Sequence, residues 1–473
     1  MKKYISILTV LVFFGCGEDF LEKSPEQSVD TGLALGDIDN IEVAVNGIYN
    51  GLQDPDYYGR YFVLTFDIMG DHVKQSVQNS NRLTLQYRYN INSNSADARE
   101  MWEDAYAVIN RANNVIKAIP ALDDPANQER IDQALAEALA LRALAHWDLV
   151  RYFSLPYNTS NTSVAPGADG AGGHLGVPVV TDLLLPDATP ARNTVAEVYA
   201  QVVADLTAAI DLFDPESFSR TRLTAGAARS ILAKVYLYME DWGNAETFAT
   251  AVLDDANYTE LAAADFVGSW NSITSTNDRI FEVAFSNAEQ NGTNSLGYMY
   301  SPNGYYDMLP TTDLDNIVAS VSDGATDVRT QLWDTSVPIA TKYKGPDHPG
   351  GFEFTCVLRT ADIRLVRAEA RAEQGNATGA RADLDFIRSN RGIGNSTAAD
   401  GDLIDAILDE RAIELAFEGN RMLDLARRGR DVVRVDCILT SACTVTYPDA
   451  RFALPIPQVE LDINPNMVQN TGY

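Results

Sequence analysis

The stretch LDERAIELAFEGNRMLDLARRGR, residues 408–430, holds the densest set of ionisable side chains in the chain. Glu410, Glu414 and Glu418 recur at four-residue steps, which places them on one face of a helix. Paired carboxylates can hydrolyse glycosidic bonds, one as acid and one as base or nucleophile. The same stretch supplies Arg411, Arg421, Arg427 and Arg428. A carboxylate beside a guanidinium has a lowered pKa and makes a poor general acid. The cluster therefore reads as a charged network between helices, and the chain as a protein that is not an enzyme.

Other catalytic patterns are missing. The sequence contains no GxxxxGK[ST] phosphate loop, no GxSxG elbow and no HExxH zinc helix. GADGAGG does not open a helix after a buried strand. DLDNIVASVSDG (313–324) starts like a calcium loop but puts Ile317 and Ala319 where oxygen ligands belong. None of the four histidines has a partner at metal-binding spacing, and neither metal nor cofactor is expected.

The elements that must position these residues are mostly helical. ARSILAKVYLYME and ARADLDFIRSN carry apolar residues at three- and four-residue steps, with Leu232, Val235, Tyr236 and Met239 on one face. Two phrases each read helix, turn, helix: YMEDWGNAETFATAVL turns at Trp242-Gly243-Asn244, and VRAEARAEQGNATGARADLDFI at Gln374-Gly375-Asn376. Gly and Asn tolerate the left-handed conformation that ends a helix, and Ala245 and Ala380 allow the partners to approach. The pairs resemble tetratricopeptide units separated by long insertions. Strands are few: RIFEVAF (279–285) and GVPVV (176–180). The segments 60–98, 155–192 and 255–358 read as irregular loops gathered on the face opposite the helices. The predicted fold is mainly α, built on tetratricopeptide-like pairs, with residues 31–473 as one domain.

Composition narrows the partners. The 473 residues carry a formal charge of −30, which opposes binding to phosphate backbones and excludes nucleic acid as a partner. Lys2 and Lys3 followed by the apolar run Ile5–Phe14 form an export signal over residues 1–15. Gly15-Cys16 resembles a bacterial lipoprotein processing site, where the thiol is acylated and becomes the mature N-terminus. Residues 16–30 then read as a tether. Export permits disulfides, and Cys437 and Cys443, flanking the short loop in DCILTSACT, are expected to pair; Cys356 is left as a buried thiol.

Several motifs, in order, resemble one family. ERAIELAFEGNRMLDLARRGR (410–430), FALPIPQVELDINPNMVQNTGY (452–473), AEALALRALAHWDLVRYFSLPY (136–157), LGVPVV with PARNTVAEVYAQVVADLTAAI, and CGEDFLEKSP are similar to the SusD/RagB family. These are outer-membrane nutrient-binding lipoproteins of Bacteroidetes. The resemblance implies a helical scaffold and a lipid anchor on the outer membrane, with the protein facing the cell exterior. It also implies capture of oligosaccharide for a TonB-dependent, SusC-like transporter, without catalysis. A helical-repeat adaptor for peptides or protein partners is the alternative.

Sugar recognition needs flat aromatic faces with amides, carboxylates and arginine beside them. The irregular segments offer Tyr87, Tyr89, Asn90 and Arg82 in one place, and Tyr298, Tyr300, Tyr305 and Tyr306 with Asn303 and Asp307 in another. Asp71 in its loop and Trp333 complete the candidate ligand set. Trp102, Tyr106 and Trp147 lie on helical faces and read as core.

Overall fold

A computed structural model describes residues 35–321 and 327–473. The expected leader, the tether and Cys16 lie outside the described residues. Helix α1 (Ile38–Leu52) starts where the Asp37 side chain accepts the Asn40 amide, and it buries Ile41, Val45 and Ile48. Helix α2 (Tyr61–Met69) follows, then the long pair α3 (Ala96–Ala118) and α4 (Gln128–Phe153). Helix α5 (Val195–Leu212) opens with a reciprocal Thr194–Glu197 cap. Next come α6 (Ala225–Tyr238), α7 (Trp242–Leu253) and, after a long irregular stretch, α8 (Thr312–Val321). Then come α9 (Thr360–Glu373), α10 (Ala377–Ser389), α11 (Leu403–Glu414) and α12 (Arg421–Arg427), and a short helix, Gln458–Ile463, lies near the end.

Helices α3 to α7 pack each on the next, α7 packs on α9, and α9 packs on α10 and α11, so the pairs form a stack. Helix α4 runs through it, and from Ala136 onward almost every residue of that helix is buried. The mainly α architecture of helical pairs is therefore as the sequence indicated.

Both helical hairpins form, but one turns differently from the expectation. After α9, Gly375 takes the left-handed conformation (φ 77°) and Asn376 caps α10. After α6 the left-handed residue is Glu240 (φ 60°), and Gly243 sits inside the first turn of α7. The reason is Asp241, whose side chain accepts the Asn244 amide and starts the helix before the glycine is reached. Ala245 and Ala380 are fully buried where the pairs meet.

Among the described residues the strands are short and occur as four antiparallel pairs. They are β1 (Val73–Gln75) with β3 (Met308–Pro310), β2 (Arg279–Val283) with β6 (Thr355–Arg359), β4 (Trp333–Asp334) with β5 (Ile339–Ala340), and β7 (Val432–Val433) with β8 (Thr444–Val445). The strand expected at 176–180 does not form. Its backbone pairing stops after Gly176 and Val177 bond to Asn193 (2.7 and 3.2 Å), and side chains take over: Val180 donates its amide to His146 Nε2 (3.1 Å), and Asn113 donates to the Val180 carbonyl (3.1 Å). The 60–98 stretch is also less irregular than expected, because it contains α2. Every residue of α2 is buried, so no polar face was present to reveal its period.

Candidate functional site

The acidic motif is structural. Helix α11 ends at Glu414, and left-handed Phe417 and Gly419 turn the chain, so Glu418 lies beyond the helix rather than on its face. All three carboxylates are nevertheless buried and paired. Glu410 accepts from Arg329 (2.5 Å) and Arg388 (3.2 Å). Glu414 accepts from Arg329 (3.0 Å), Arg359 (2.6 Å) and Arg391 (2.7 Å), and Glu418 from Lys342 (2.6 Å) and Arg359 (2.8 Å). Burial alone would raise the Glu414 carboxyl, but Arg391, Arg359 and Arg329 outweigh it and hold it well below the usual range.

The neutralising cations are not the ones expected from the motif. Arg411 pairs with Asp362 and Asp424, Arg421 with Asp71, Arg427 with Glu369, and Arg428 with Glu373. The partners of the glutamates come from residues 329–391, far away in sequence.

The candidate ligand residues separate into two groups. Asp71 is buried in a bidentate pair with Arg421 (2.8 and 2.9 Å). Tyr87 is buried, donating to the Ile438 carbonyl (2.7 Å), and buried Tyr89 donates to the Met69 carbonyl; Arg434 lies over both rings. Tyr300 is buried with its hydroxyl 3.3 Å from Asp67 Oδ2. Trp333 is buried and donates its indole N–H to Asp315 (2.8 Å). These five are interior residues. Asp307, expected beside the tyrosines, is also buried.

Arg82, Asn90, Tyr298, Tyr305 and Tyr306 keep exposed surface. Three of them meet. Tyr298 lies on the short helix Leu296–Tyr300, and the chain then folds back so that the Tyr305 amide donates to the Tyr298 carbonyl (2.7 Å). Gly304 permits this, since a Cβ there would stand 2.4 Å from that carbonyl oxygen. The two phenol rings end with centroids 6.3 Å apart, tilted by 60°. The Arg82 guanidinium covers the Tyr305 ring at 3.8 Å. Tyr306 is turned aside and donates to the Pro338 carbonyl (2.6 Å).

Ser80, Asp347, Arg60, Asn294 and Asp56, which the sequence reading did not single out, help fix this surface. Pairing of β1 with β3 brings the 73–82 and 296–310 segments together. Buried Asp307 accepts the Ser80 amide (2.7 Å) and its hydroxyl, and Arg82 donates to that hydroxyl (2.6 Å). Asn303, exposed, donates to Asp347 (2.7 Å), and Arg60 bridges Asn294 and Asp56 (both 3.2 Å). Thr293 and Arg82 together lower the Tyr305 phenol. The result is a pair of half-exposed rings edged by amides and arginine. It offers apolar faces and hydrogen-bonding groups but no nucleophile with an adjacent base.

Among the described residues, the carboxylates whose oxygens converge as metal ligands would are Asp54, Asp56 and Asp104. Burial, then Asp54 beside it, raises the Asp104 carboxyl, while Arg60 pairs with Asp56. Cys437 and Cys443 are joined in a disulfide, and Cys356 is a buried free thiol.

Known proteins share this fold. A family model described as "SusD-like, starch-binding associating with outer membrane" matches residues 19–237, and the "SusD family" model matches residues 342–473. The chain belongs to the SusD/RagB family. A SusD-like protein of Formosa agariphila is 25% identical over 531 aligned positions that cover all of both chains. A SusD superfamily protein of Bacteroides vulgatus superposes with a TM-score of 0.81 at 27% identity, covering 92% of this chain and 99% of that one. A structure described as a laminarin-binding SusD-like protein superposes with a TM-score of 0.72 at 23% identity, covering 92% and 99%.

Proposed function

We propose that this SusD/RagB protein is a glycan-binding lipoprotein of the outer membrane. It captures oligosaccharide at the Tyr298–Tyr305–Arg82 surface and delivers it uncut to a TonB-dependent, SusC-like transporter. The observation that carries the reading is the tyrosine pair itself. Two tilted, half-exposed phenol rings with a guanidinium and amides at their edges match the apolar faces and hydroxyl rims of a sugar chain. The family's starch-binding description and the laminarin-binding relative support it.

The non-catalytic part rests on the carboxylates: Glu410 and Glu414 have no exposed surface and are locked among arginines. The anchor rests on Cys16 after its short apolar leader, with residues 31–473 as the domain it tethers. Among the described residues no helix is long and apolar enough to cross a membrane, so attachment through the Cys16 lipid is the route proposed.

Affinity electrophoresis against laminarin, starch, xylan and alginate tests the binding. Retardation by at least one, with no shortened sugars released, supports the reading; migration unchanged in every gel contradicts it. Fractionation of a Cys16→Ala variant tests the anchor, which requires the variant to leave the membrane fraction.

A further inference from the structure

Basic side chains are scattered through this acidic sequence, yet the fold gathers two of them at one tyrosine. Arg60 immediately precedes α2 and Arg82 follows β1. Thr293 and Arg82 hold the Tyr305 phenol below its usual range, and Arg60 adds to the effect.

The two guanidiniums differ in what balances them. Arg60 is buried over the Tyr61 ring (3.9 Å) and donates to the Asp56 carboxylate (3.2 Å). Arg82 keeps exposed surface, lies 3.8 Å from the Tyr305 ring centroid and donates to the Ser80 hydroxyl (2.6 Å). Among the described residues no carboxylate pairs with it. Asp307, beyond the Ser80 hydroxyl, is fully buried and already accepts that hydroxyl and the Ser80 amide (2.7 Å). Asp347 accepts from the Ser301 hydroxyl (2.5 Å) and the Asn303 amide (2.7 Å). The acceptors around the platform are thus occupied by protein, whereas most of the Arg82 fork is open.

The chemistry of that fork narrows the ligand. A neutral sugar needs donors and acceptors but no net charge, and an amide or a paired arginine supplies them equally well. A half-exposed guanidinium without a counter-charge suits a group that only accepts and is itself charged. The carboxylate of a uronic acid and a sulfate ester are such groups, and each can take two parallel N–H bonds from an arginine. The formal charge of −30 opposes the approach of an acidic sugar, so holding one requires a cation at the point of contact. Tyr305 acts in the same sense, because a phenol made more acidic donates a stronger hydrogen bond to an anionic oxygen.

We infer that the Tyr298–Tyr305 platform selects acidic sugars, uronates or sulfate esters, and that Arg82 is the residue that selects them. This selectivity rests on the glycan reading proposed above and names its substrate class. The test is calorimetric titration with matched pairs: oligogalacturonate and oligomannuronate, each beside its methyl ester, and a carrageenan oligosaccharide beside its desulfated form. The proteins are wild type, Arg82→Gln, Arg82→Lys and Tyr298→Ala/Tyr305→Ala, each shown by thermal melting to be folded. In at least one pair wild type should bind the acidic member about fivefold tighter, the effect of one half-exposed charge pair. Arg82→Gln, which keeps amide donors without the charge, should bring the two members to equal affinity, and Arg82→Lys should retain part of the preference. Added salt should shrink the preference in wild type and leave Arg82→Gln unmoved.

A preference in the uronate pairs alone, or in the sulfate pair alone, supports the inference and tells which group the fork holds. Equal binding of both members by wild type, or a preference that survives in Arg82→Gln, overturns it and leaves the tyrosine reading in place. If wild type binds no acidic member, the selectivity falls, and the neutral polysaccharides of the affinity gels decide the tyrosine reading separately. Wild-type binding of both members by the double tyrosine variant removes the platform, and the selectivity with it.

Discussion

Glu353 holds the backbone of Gly297: its Oε1 accepts the Gly297 amide at 2.9 Å while its Oε2 accepts the Gly345 amide at 2.7 Å. These two glycines touch so closely that a Cβ on Gly297 would stand 2.0 Å from the Gly345 nitrogen. Tyr298 is the next residue, so one half-buried carboxylate sets the base of the aromatic platform. Glu353→Ala would leave two amides without acceptors, at about 1–3 kcal/mol each. The expected result is a fold that survives with a lower melting temperature and sugar affinity reduced about tenfold. Glu353→Gln, which retains one acceptor oxygen, should lie between. Titration calorimetry beside thermal melts reads both effects, and an unchanged affinity in Glu353→Ala would remove Glu353 from the platform.

The Glu414 network makes a different prediction. Breaking a buried ion cluster from one side costs about 3–5 kcal/mol, because the partners stay buried and unpaired. Glu414 neutralises Arg329, Arg359 and Arg391 at once. Glu414→Gln should therefore lower the denaturation midpoint sharply while leaving the sugar affinity of the folded fraction unchanged. A loss of sugar affinity without a loss of stability would show that this carboxylate faces ligand.

His146 gives a pH signature. It is buried in α4, with Nδ1 3.0 Å from the Arg142 carbonyl and Nε2 accepting the Val180 amide (3.1 Å). That pattern requires the neutral ring, and burial pushes its pKa down to about 3. A histidine lowered in the fold contributes stability that is present above its unfolded pKa of about 6.5 and is lost as pH falls toward 3. The loss is up to about 1.4 kcal/mol per pH unit for one proton. His72, also buried and lowered to about 3, acts in the same direction. Denaturation between pH 7 and 4 should show the slope, and His146→Gln should reduce it by one proton's worth. An equal slope in the variant would contradict the assignment.

Helical periodicity in the sequence revealed α6 and α10, and the glycine of the second hairpin marked its turn at Gly375. It did not reveal α2, whose residues are buried on every side, nor the first hairpin's turn, where Asp241 overrides the nearby glycine. The site was half legible for a related reason. Tyrosine-rich loops signal sugar chemistry, but which rings face out depends on partners distant in sequence. Arg434 claims Tyr87 and Tyr89, and Asp67 claims Tyr300. Arg82 reaches Tyr305 only because β1 pairs with β3 across more than 230 positions. Spacing along the chain carries no trace of such contacts, and none pointed to Glu353 or Asp347.

The central claim is that Tyr298 and Tyr305, steadied by Arg82, bind glycan. Each ring contributes about 0.5–1.5 kcal/mol beyond the area it covers, so removing both weakens binding roughly ten- to hundredfold. The direct measurement is calorimetric titration of the polysaccharide fragment selected by affinity electrophoresis into wild type and Tyr298→Ala/Tyr305→Ala, with Arg82→Ala as a third sample. The account predicts that the double variant loses at least tenfold in affinity at unchanged melting temperature, and that Arg82→Ala shows a smaller loss. Wild-type affinity in a folded double variant would contradict it.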